Sequence, residues 1–312
     1  MKRVFSRGVG SAALGILAAG LLLGAAGCAE REEAVFTIEA PRRALRIGLI
    51  PEQNIFSQKA RYKPLAAYLS KRADVQIELK VLSRYGNIIQ NFVSNRLDGA
   101  FFGSFTGALA HRKLGVEALA RPEYLDGTSA YHGLLFVRMD SGIANANDMR
   151  GKRFVFVDKA TTAGWLLPLY YFKTQGIEDY HSWLRETYFA GTHESAIYDV
   201  LERTADIGAA KNTVFSRLAS EDPRITDELV ILARSPNVPE NALCVRGDLD
   251  TSLKLRLRNL LLNMDQDPEA AAVLAEFGAR RFIATGKSDY ASVFEYAEKI
   301  GLDLETYDYM ND

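Results

Sequence analysis

Four stretches of the chain place hydroxyls, small residues and backbone donors directly after an apolar run. Thr161, Thr162, Ala163 and Gly164 follow RFVFVD, and Ser104 and Thr106 follow DGAFFG. Gly191, Thr192, His193, Glu194 and Ser195 follow ETYFA, and Lys211, Asn212 and Thr213 follow ADIGAA. Each group opens a stretch of helical periodicity. A helix N-terminus carries about half a positive charge and N–H groups without intrahelical acceptors, so it favours an anion. Thr161 and Thr162 add hydroxyl donors, and Gly164 allows a close backbone approach. The same residue types are ordinary N-caps. From the residues alone, generic capping and a small-anion pocket stand side by side. A third reading is hydrolysis, with His193 as base and Glu194 or Asp206 orienting it. Adjacent His193 and Glu194 point apart on a helix, and no G-x-S-x-G elbow is present. No catalytic residue is assigned. The four histidines show no metal-ligand spacing, so neither a metal nor a cofactor is expected.

These junctions need strands to end at them and helices to begin. From Ala44 onward, short apolar or β-branched runs alternate with longer amphipathic ones. ALRIGLI, VQIELKVL, DGAFFG, VEALA, HGLLFVR, RFVFVD, ETYFA, ADIGAA and ELVILA read as strands. SQKARYKPLAAYLSKR, YGNIIQNFVSNR, SFTGALAHRKL, the segment 163–175, HESAIYDVLER and NTVFSRLASE read as helices. Apolar strands separated by helices predict an α/β protein with parallel sheets covered on both faces. The last third differs, with one strand in NALCVRGDL and three helical stretches over Leu253–Met264, Pro268–Phe277 and Tyr290–Lys299. In open α/β sheets ligands collect beyond the carboxyl ends of the strands, which is where the four junctions lie.

The head of the chain carries a different signal. Lys2, Arg3 and Arg7 precede an apolar, acid-free run from Val9 to Gly27, with Cys28 directly after the small residues AAG. This pattern predicts a secretory leader over 1–27 of the lipoprotein type, with lipid on Cys28. An uncleaved helical anchor is the other reading of so long an apolar run. Residues 28–44 read as a tether of charged, core-poor composition. A flexible chain of ~15 residues spans on the order of 20 Å. The leader holds three of the 38 basic residues and none of the 39 acidic ones, so removing it takes the formal net charge from −1 to −4. That balance gives no nucleic-acid surface. With Cys28 lipidated, Cys244 is the one thiol left, and ALCVRG reads as a buried strand holding an inert cysteine.

The ordered series IGLIPEQN, YKPLAAYL, YGNIIQ, LDGAFFGSFTGALA, DKATTAGWLLP, AGTHESAIYDV and RSPNVPENALCVR resembles the periplasmic substrate-binding proteins of phosphonate, phosphite and phosphate ABC transporters. The resemblance runs from Leu45 to about Tyr290. It departs from the family pattern at Tyr62, where tryptophan is usual, and at Thr161 and Ala163, where serines are usual. It implies the type II binding-protein fold, two α/β lobes joined by a two-strand hinge. Lobe one is then 45–132 with 238–312, and lobe two is 133–237. The chain crosses between them near Tyr131–Phe136 and near Ala233–Pro239. The resemblance further implies that Thr161, Thr162 and Ala163 hold the oxyanion, that Tyr85 completes the grip, and that Tyr131 and His193 line the pocket. Ser104, Asn212, Thr213 and Asn241 complete the candidate ligand-binding set.

Relatives that bind aminoalkylphosphonates pair the ligand's ammonium with carboxylates, and this chain has Thr213 and Asn241 at the matching places. A buried ammonium without a counter-charge costs several kcal/mol. The expected ligand is therefore phosphite, phosphate, hypophosphite or a small alkylphosphonate without an amine. Lys211 is read as solvated, with reach to the anion as its other reading. The implied protein is a monomer, lipid-anchored outside the cytoplasmic membrane, that passes its ligand to an ABC permease. A binding protein serving a membrane sensor kinase is the alternative.

Overall fold

In the computed structural model, residues 43–94 and 96–311 are described. The leader, Cys28 and the tether up to residue 42 lie outside the described residues. The chain begins with β1 (Ala44–Leu49), α1 (Ile55–Ala73), β2 (Gln76–Val81), α2 (Asn87–Ser94), β3 (Gly99–Phe102), α3 (Ser104–Leu114) and β4 (Glu117–Tyr124). Then come β5 (Ala130–Tyr131), β6 (Gly133–Arg138), β7 (Arg153–Phe156), α4 (Leu167–Thr174), α5 (Tyr180–Trp183) and β8 (Glu186–Phe189). α6 (His193–Leu201), β9 (Ile207–Lys211), α7 (Asn212–Glu221), α8 (Arg224–Glu228) and β10 (Leu229–Arg234) follow. β11 (Val238–Pro239), β12 (Ala242–Val245), α9 (Thr251–Leu262), α10 (Ala271–Phe277), β13 (Ala279–Ala284) and α11 (Ala291–Lys299) complete the order.

The strands form two α/β lobes, one around a six-stranded sheet ordered β13-β4-β12-β3-β1-β2 and one around a five-stranded sheet ordered β10-β6-β9-β7-β8. The expected parallel pairing holds for β1 with β2 and β3, and for β7 with β8 and β9. Elsewhere the sheets are antiparallel, a correction to that expectation. β12 opposes β3 and β4, and β6 opposes β9 and β10. Each crossing between lobes delivers the chain at the cleft end of a sheet. The first strand after it, β6 or β12, must therefore run away from the cleft, against its neighbours. The two crossings lie side by side as a ribbon, with Tyr131 opposite Val238 and Ala130 opposite Pro239.

Alternation within β3 separates the two faces of the first sheet. Phe101 joins an outer core with Tyr62, Phe277 and Phe282, where the Tyr62 ring meets Phe101 at 4.9 Å and Phe277 at 5.1 Å. Phe102 joins a second core that continues through Phe105, Tyr85 and Tyr131 to Phe136 and Phe156 of the other lobe. Cys244 is buried, and burial pushes its thiol up to about 12, which keeps it protonated and inert. β13 was not anticipated from sequence, because its alternation is carried by ARRFIA with two adjacent arginines exposed.

Past α11 the chain folds back over the lobe junction. The Tyr307 hydroxyl donates to the Lys159 carbonyl at 2.8 Å, and Asn311 Nδ2 donates to Asp158 Oδ2 at 3.0 Å. Asn311 Oδ1 accepts from the Lys159 N–H at 3.0 Å. The loop that leads to Thr161 is thereby held from outside.

Candidate functional site

Helix-bearing strands of both sheets point their carboxyl ends into one cleft. Tyr85 follows β2, Gly103 to Thr106 join β3 to α3, and Thr161 and Thr162 follow β7. His193 opens α6, Lys211 ends β9, and Asn241 precedes β12. Tyr85, Tyr131, Thr161, Thr162, His193 and Asn241 line one cavity of about 10 Å³, together with Glu52 and Lys211. All eight are buried.

The two threonines are tied to different partners, and neither side chain caps the turn they open. Thr161 donates both its hydroxyl and its N–H to the Asp158 carbonyl, at 2.7 and 2.9 Å. Thr162 Oγ1 accepts the N–H of Phe105 at 2.8 Å, so the loop after β7 holds the first turn of α3 in the other lobe. Ser104 stands one layer behind the cavity lining. Its hydroxyl is bonded to the Tyr131 hydroxyl at 3.0 Å and donates to the Pro239 carbonyl at 2.6 Å, which fixes the Tyr131 ring.

Tyr85 is different. Its hydroxyl is buried and has no hydrogen-bond partner among the described residues. An orphaned buried polar atom costs on the order of 1–3 kcal/mol, so such a group points to a partner that comes and goes. Burial, then the nearby Glu52 charge, hold the phenol well above its usual range, so it is a donor at any physiological pH. The His193 ring meets it edge-on at 5.9 Å. Burial depresses His193 to about 3, with Glu52 opposing and Lys211 reinforcing the shift. Its Nδ1 accepts the Lys211 N–H at 3.3 Å, which leaves the proton on Nε2 as a second donor.

Lys211 corrects the sequence reading. It is not solvated but 3% exposed. β9 is the central strand of its sheet, so its last residue points into the cleft rather than to water. The ammonium donates to Glu52 Oε1 at 2.9 Å, to Asn241 Oδ1 at 3.3 Å and to Glu240 Oε1. Burial pushes its pKa down, but the Glu240 and Glu52 charges hold it well above the usual range. For Glu52, burial pushes upward while the charge and hydrogen bond of Lys211 prevail and lower it. Two buried carboxylates, Glu52 and Glu240, thus stand beside the cavity, and both are bonded to the Lys211 ammonium.

The remaining candidates lie around this cavity. Ala163 is buried and lines a neighbouring apolar hollow with Gly133, Leu167 and Pro168. Asn212 binds the hinge, accepting the His132 N–H at 2.9 Å on Oδ1 and donating its own N–H to the His132 carbonyl at 3.0 Å. Asn212 and Thr213 line an outer cleft of about 860 Å³, which shares only Glu52 and Lys211 with the inner cavity. Sequence reasoning passed over Glu52, Glu240 and Phe105, and it read Lys211 as solvated. Glu52 stands just past β1, where the strand-end rule already pointed. Lys211 closes a strand buried at every position, and that signal outweighs the habit of reading lysine as solvated. No group of three metal-binding side chains occurs among the described residues.

Comparison with known proteins agrees with this architecture. Residues 47–290 match the family model described as ABC transporter, phosphonate, periplasmic substrate-binding protein. The phosphonates-binding periplasmic protein of Escherichia coli K12 is 27% identical over 252 residues, covering 79% of this chain and 74% of that protein. A probable ABC transporter phosphite binding protein, PhnD1 of Prochlorococcus marinus MIT 9301, is 24% identical over 267 residues, covering 83% and 90%. The solved structure of PhnD1 with methylphosphonate superposes with a TM-score of 0.74 at 23% identity, covering 83% of this chain and 98% of that one. A binding protein component of an ABC phosphonate transporter from Pseudomonas aeruginosa gives a TM-score of 0.76 at 22% identity, covering 82% and 85%.

Proposed function

The chain belongs to the family of periplasmic substrate-binding proteins of phosphonate ABC transporters, and from that premise we propose that it captures a small phosphorus oxyanion without an amine between its lobes. Phosphite, phosphate and small alkylphosphonates form the ligand class. The observation that carries this reading is the Tyr85 hydroxyl, buried and without a partner among the described residues, beside Thr161, Thr162 and the His193 imidazole. The Tyr85 hydroxyl and His193 Nε2 converge there from the two lobes, while Thr161, whose hydroxyl and N–H both go to Asp158, shapes the wall. An oxyanion of three or four oxygens takes up several donors at once.

Magnitudes are sufficient. A hydrogen bond to a charged group contributes about 1.5–3 kcal/mol, and a helix N-terminus up to ~2 kcal/mol. Five or six such contacts, less desolvation and ordering, leave the ~8 kcal/mol of a micromolar dissociation constant. The inner cavity of about 10 Å³ is the size one water needs. A phosphorus oxyanion therefore enters with the lobes parted and is enclosed as they return. Lobe one in this reading is 45–132 with 238–312, lobe two is 133–237, and the β5–β11 ribbon is the pivot. A permease then reads the closed form, which the ligand stabilises by its differential affinity. Cys28 carries the lipid that holds the protein at the membrane, outside the cytoplasm.

Calorimetry with phosphite, phosphate, methylphosphonate and 2-aminoethylphosphonate tests the reading. One of the first three should bind at micromolar strength or better. Tyr85→Phe should weaken it at least tenfold while leaving the unliganded protein as stable as before or more so. Absence of binding by all three, or an unchanged affinity in Tyr85→Phe, would contradict the proposal.

A further inference from the structure

An ammonium group is recognised by acceptors for its three protons and by an aromatic face for its charge. The junction of the lobes holds such a set. Glu52 Oε1, Glu240 Oε1 and Asn241 Oδ1 converge on the Lys211 ammonium, and the Tyr131 ring centroid lies 4.4 Å from Nζ. Glu52, Tyr131, Glu240 and Asn241 all stand on or beside β1, β5, β11 and β12, whereas Lys211 reaches in on β9 of the other sheet. The seat and its occupant thus come from different sides of the cleft. Glu240 Oε2 is also buried without a partner among the described residues, so the seat carries more acceptor capacity than the lysine uses.

Position relative to the oxyanion donors matters as much. Lys211, Glu52, Tyr131 and Asn241 line the same cavity as Tyr85 and Thr162. Glu52 and Lys211 also line the outer cleft, so this pair stands between the two spaces. A substituent leaving the oxyanion toward that cleft meets the Lys211–Glu52 pair first. Direct use of Lys211 against the oxyanion is disfavoured, because its three protons are taken. Turning one toward a ligand would strand a buried carboxylate, which is costly.

We propose that Lys211 is the built-in occupant of an ammonium seat, so that the protein selects phosphorus oxyanions without an amine and rejects aminoalkyl ones. This deepens the oxyanion reading above and rests on it for the ligand class. Removing the lysine side chain should expose two carboxylates, an amide and a tyrosine face at the edge of the oxyanion site. An amine-bearing phosphonate then supplies the missing cation.

The test compares methylphosphonate with 2-aminoethylphosphonate by calorimetry on three proteins, and follows thermal unfolding with and without methylammonium. The wild type should bind methylphosphonate at least tenfold more tightly than 2-aminoethylphosphonate. Lys211→Ala should shift that ratio at least tenfold toward 2-aminoethylphosphonate, and methylammonium should raise its Tm but not that of the wild type. The triple variant Lys211→Met, Glu52→Gln, Glu240→Gln lacks the seat's charge and should show no shift in ratio. A wild type that takes both ligands equally overturns the proposal, as does an unchanged ratio in Lys211→Ala or a gain of amine binding in the triple variant. If Lys211→Ala does not fold, the wild-type ratio and the triple variant decide. A wild type that binds no phosphorus oxyanion sinks the oxyanion reading alone, and the methylammonium response of Lys211→Ala then decides the seat by itself.

Discussion

His193 is enclosed between the lobes, with Nδ1 accepting the backbone N–H of Lys211. Its folded pKa of about 3 lies below the ordinary 6.5, chiefly through burial. The unfolded chain therefore takes up a proton that the folded one refuses. The imidazole's contribution to stability is complete above about pH 6.5 and is lost as pH falls toward 3. Asp158 works the other way. Burial raises its carboxyl to about 6 against hydrogen bonds from Ala160 and Asn311, so its contribution is present at lower pH and fades as pH rises through 6. Between pH 6.5 and 5 the wild type's stability to urea should fall relative to that of His193→Gln by on the order of 2 kcal/mol, because the opposing Asp158 effect is common to both and cancels in the difference. Parallel losses would contradict the assignment. The residues just after strands could be found in the sequence, since strand ends are marked by the apolar runs before them. The pairing of Glu52, Lys211 and Glu240 could not, because it joins three segments separated in the chain, although the places of Glu52 and Lys211 at strand ends were marked.

The loop after β7 is the element on which the site turns. Sequence periodicity predicts one helix over 163–175, and the structure divides it into a π-helical turn, Thr162–Leu166, and α4. Pro168 has no N–H to donate to the Gly164 carbonyl four residues back. That carbonyl accepts from Val157 instead, at 3.2 Å, and draws the turn onto the end of β7. A Cβ on Gly164 would lie 2.4 Å from Val157 Cβ and Cγ2 and 2.8 Å from Thr161 Oγ1. The glycine thus serves packing against the chain's own strand rather than approach to a ligand. Gly164→Ala should cost about 1–3 kcal/mol of stability by overpacking and weaken oxyanion binding by displacing Thr161 and Thr162. Chemical denaturation and calorimetry measure both, and a variant as stable as the wild type would show that the turn yields freely. Most strands and helices were legible from periodicity. The antiparallel pairs were not, because direction is set by which end of a sheet the crossings reach, and no local pattern records that.

Across the whole molecule, contacts tie the lobes together at several places besides the C-terminal segment that bonds Asp158 and Lys159. Glu194 Oε2 accepts the Asn54 N–H at 2.9 Å near the surface, Thr162 accepts from Phe105 in the middle, and Lys211 spans to Glu52 and Glu240. The Asn54 contact is exposed, where a hydrogen bond exchanges with water and contributes little. The deep contacts surround the cavity into which Tyr85 presents its hydroxyl. Among the described residues no helix is long and apolar enough to cross a membrane, and the anchoring expected at Cys28 lies outside them. What the account requires above all is that an oxyanion sit between the lobes on those donors. A crystal structure of the protein with methylphosphonate measures this directly. The account expects the phosphonate oxygens within hydrogen-bond reach of the Tyr85 hydroxyl, the turn at Thr161 and Thr162, and His193 Nε2. A ligand seated in the outer cleft beside Arg61 and Thr213, without contact to Tyr85, would contradict it.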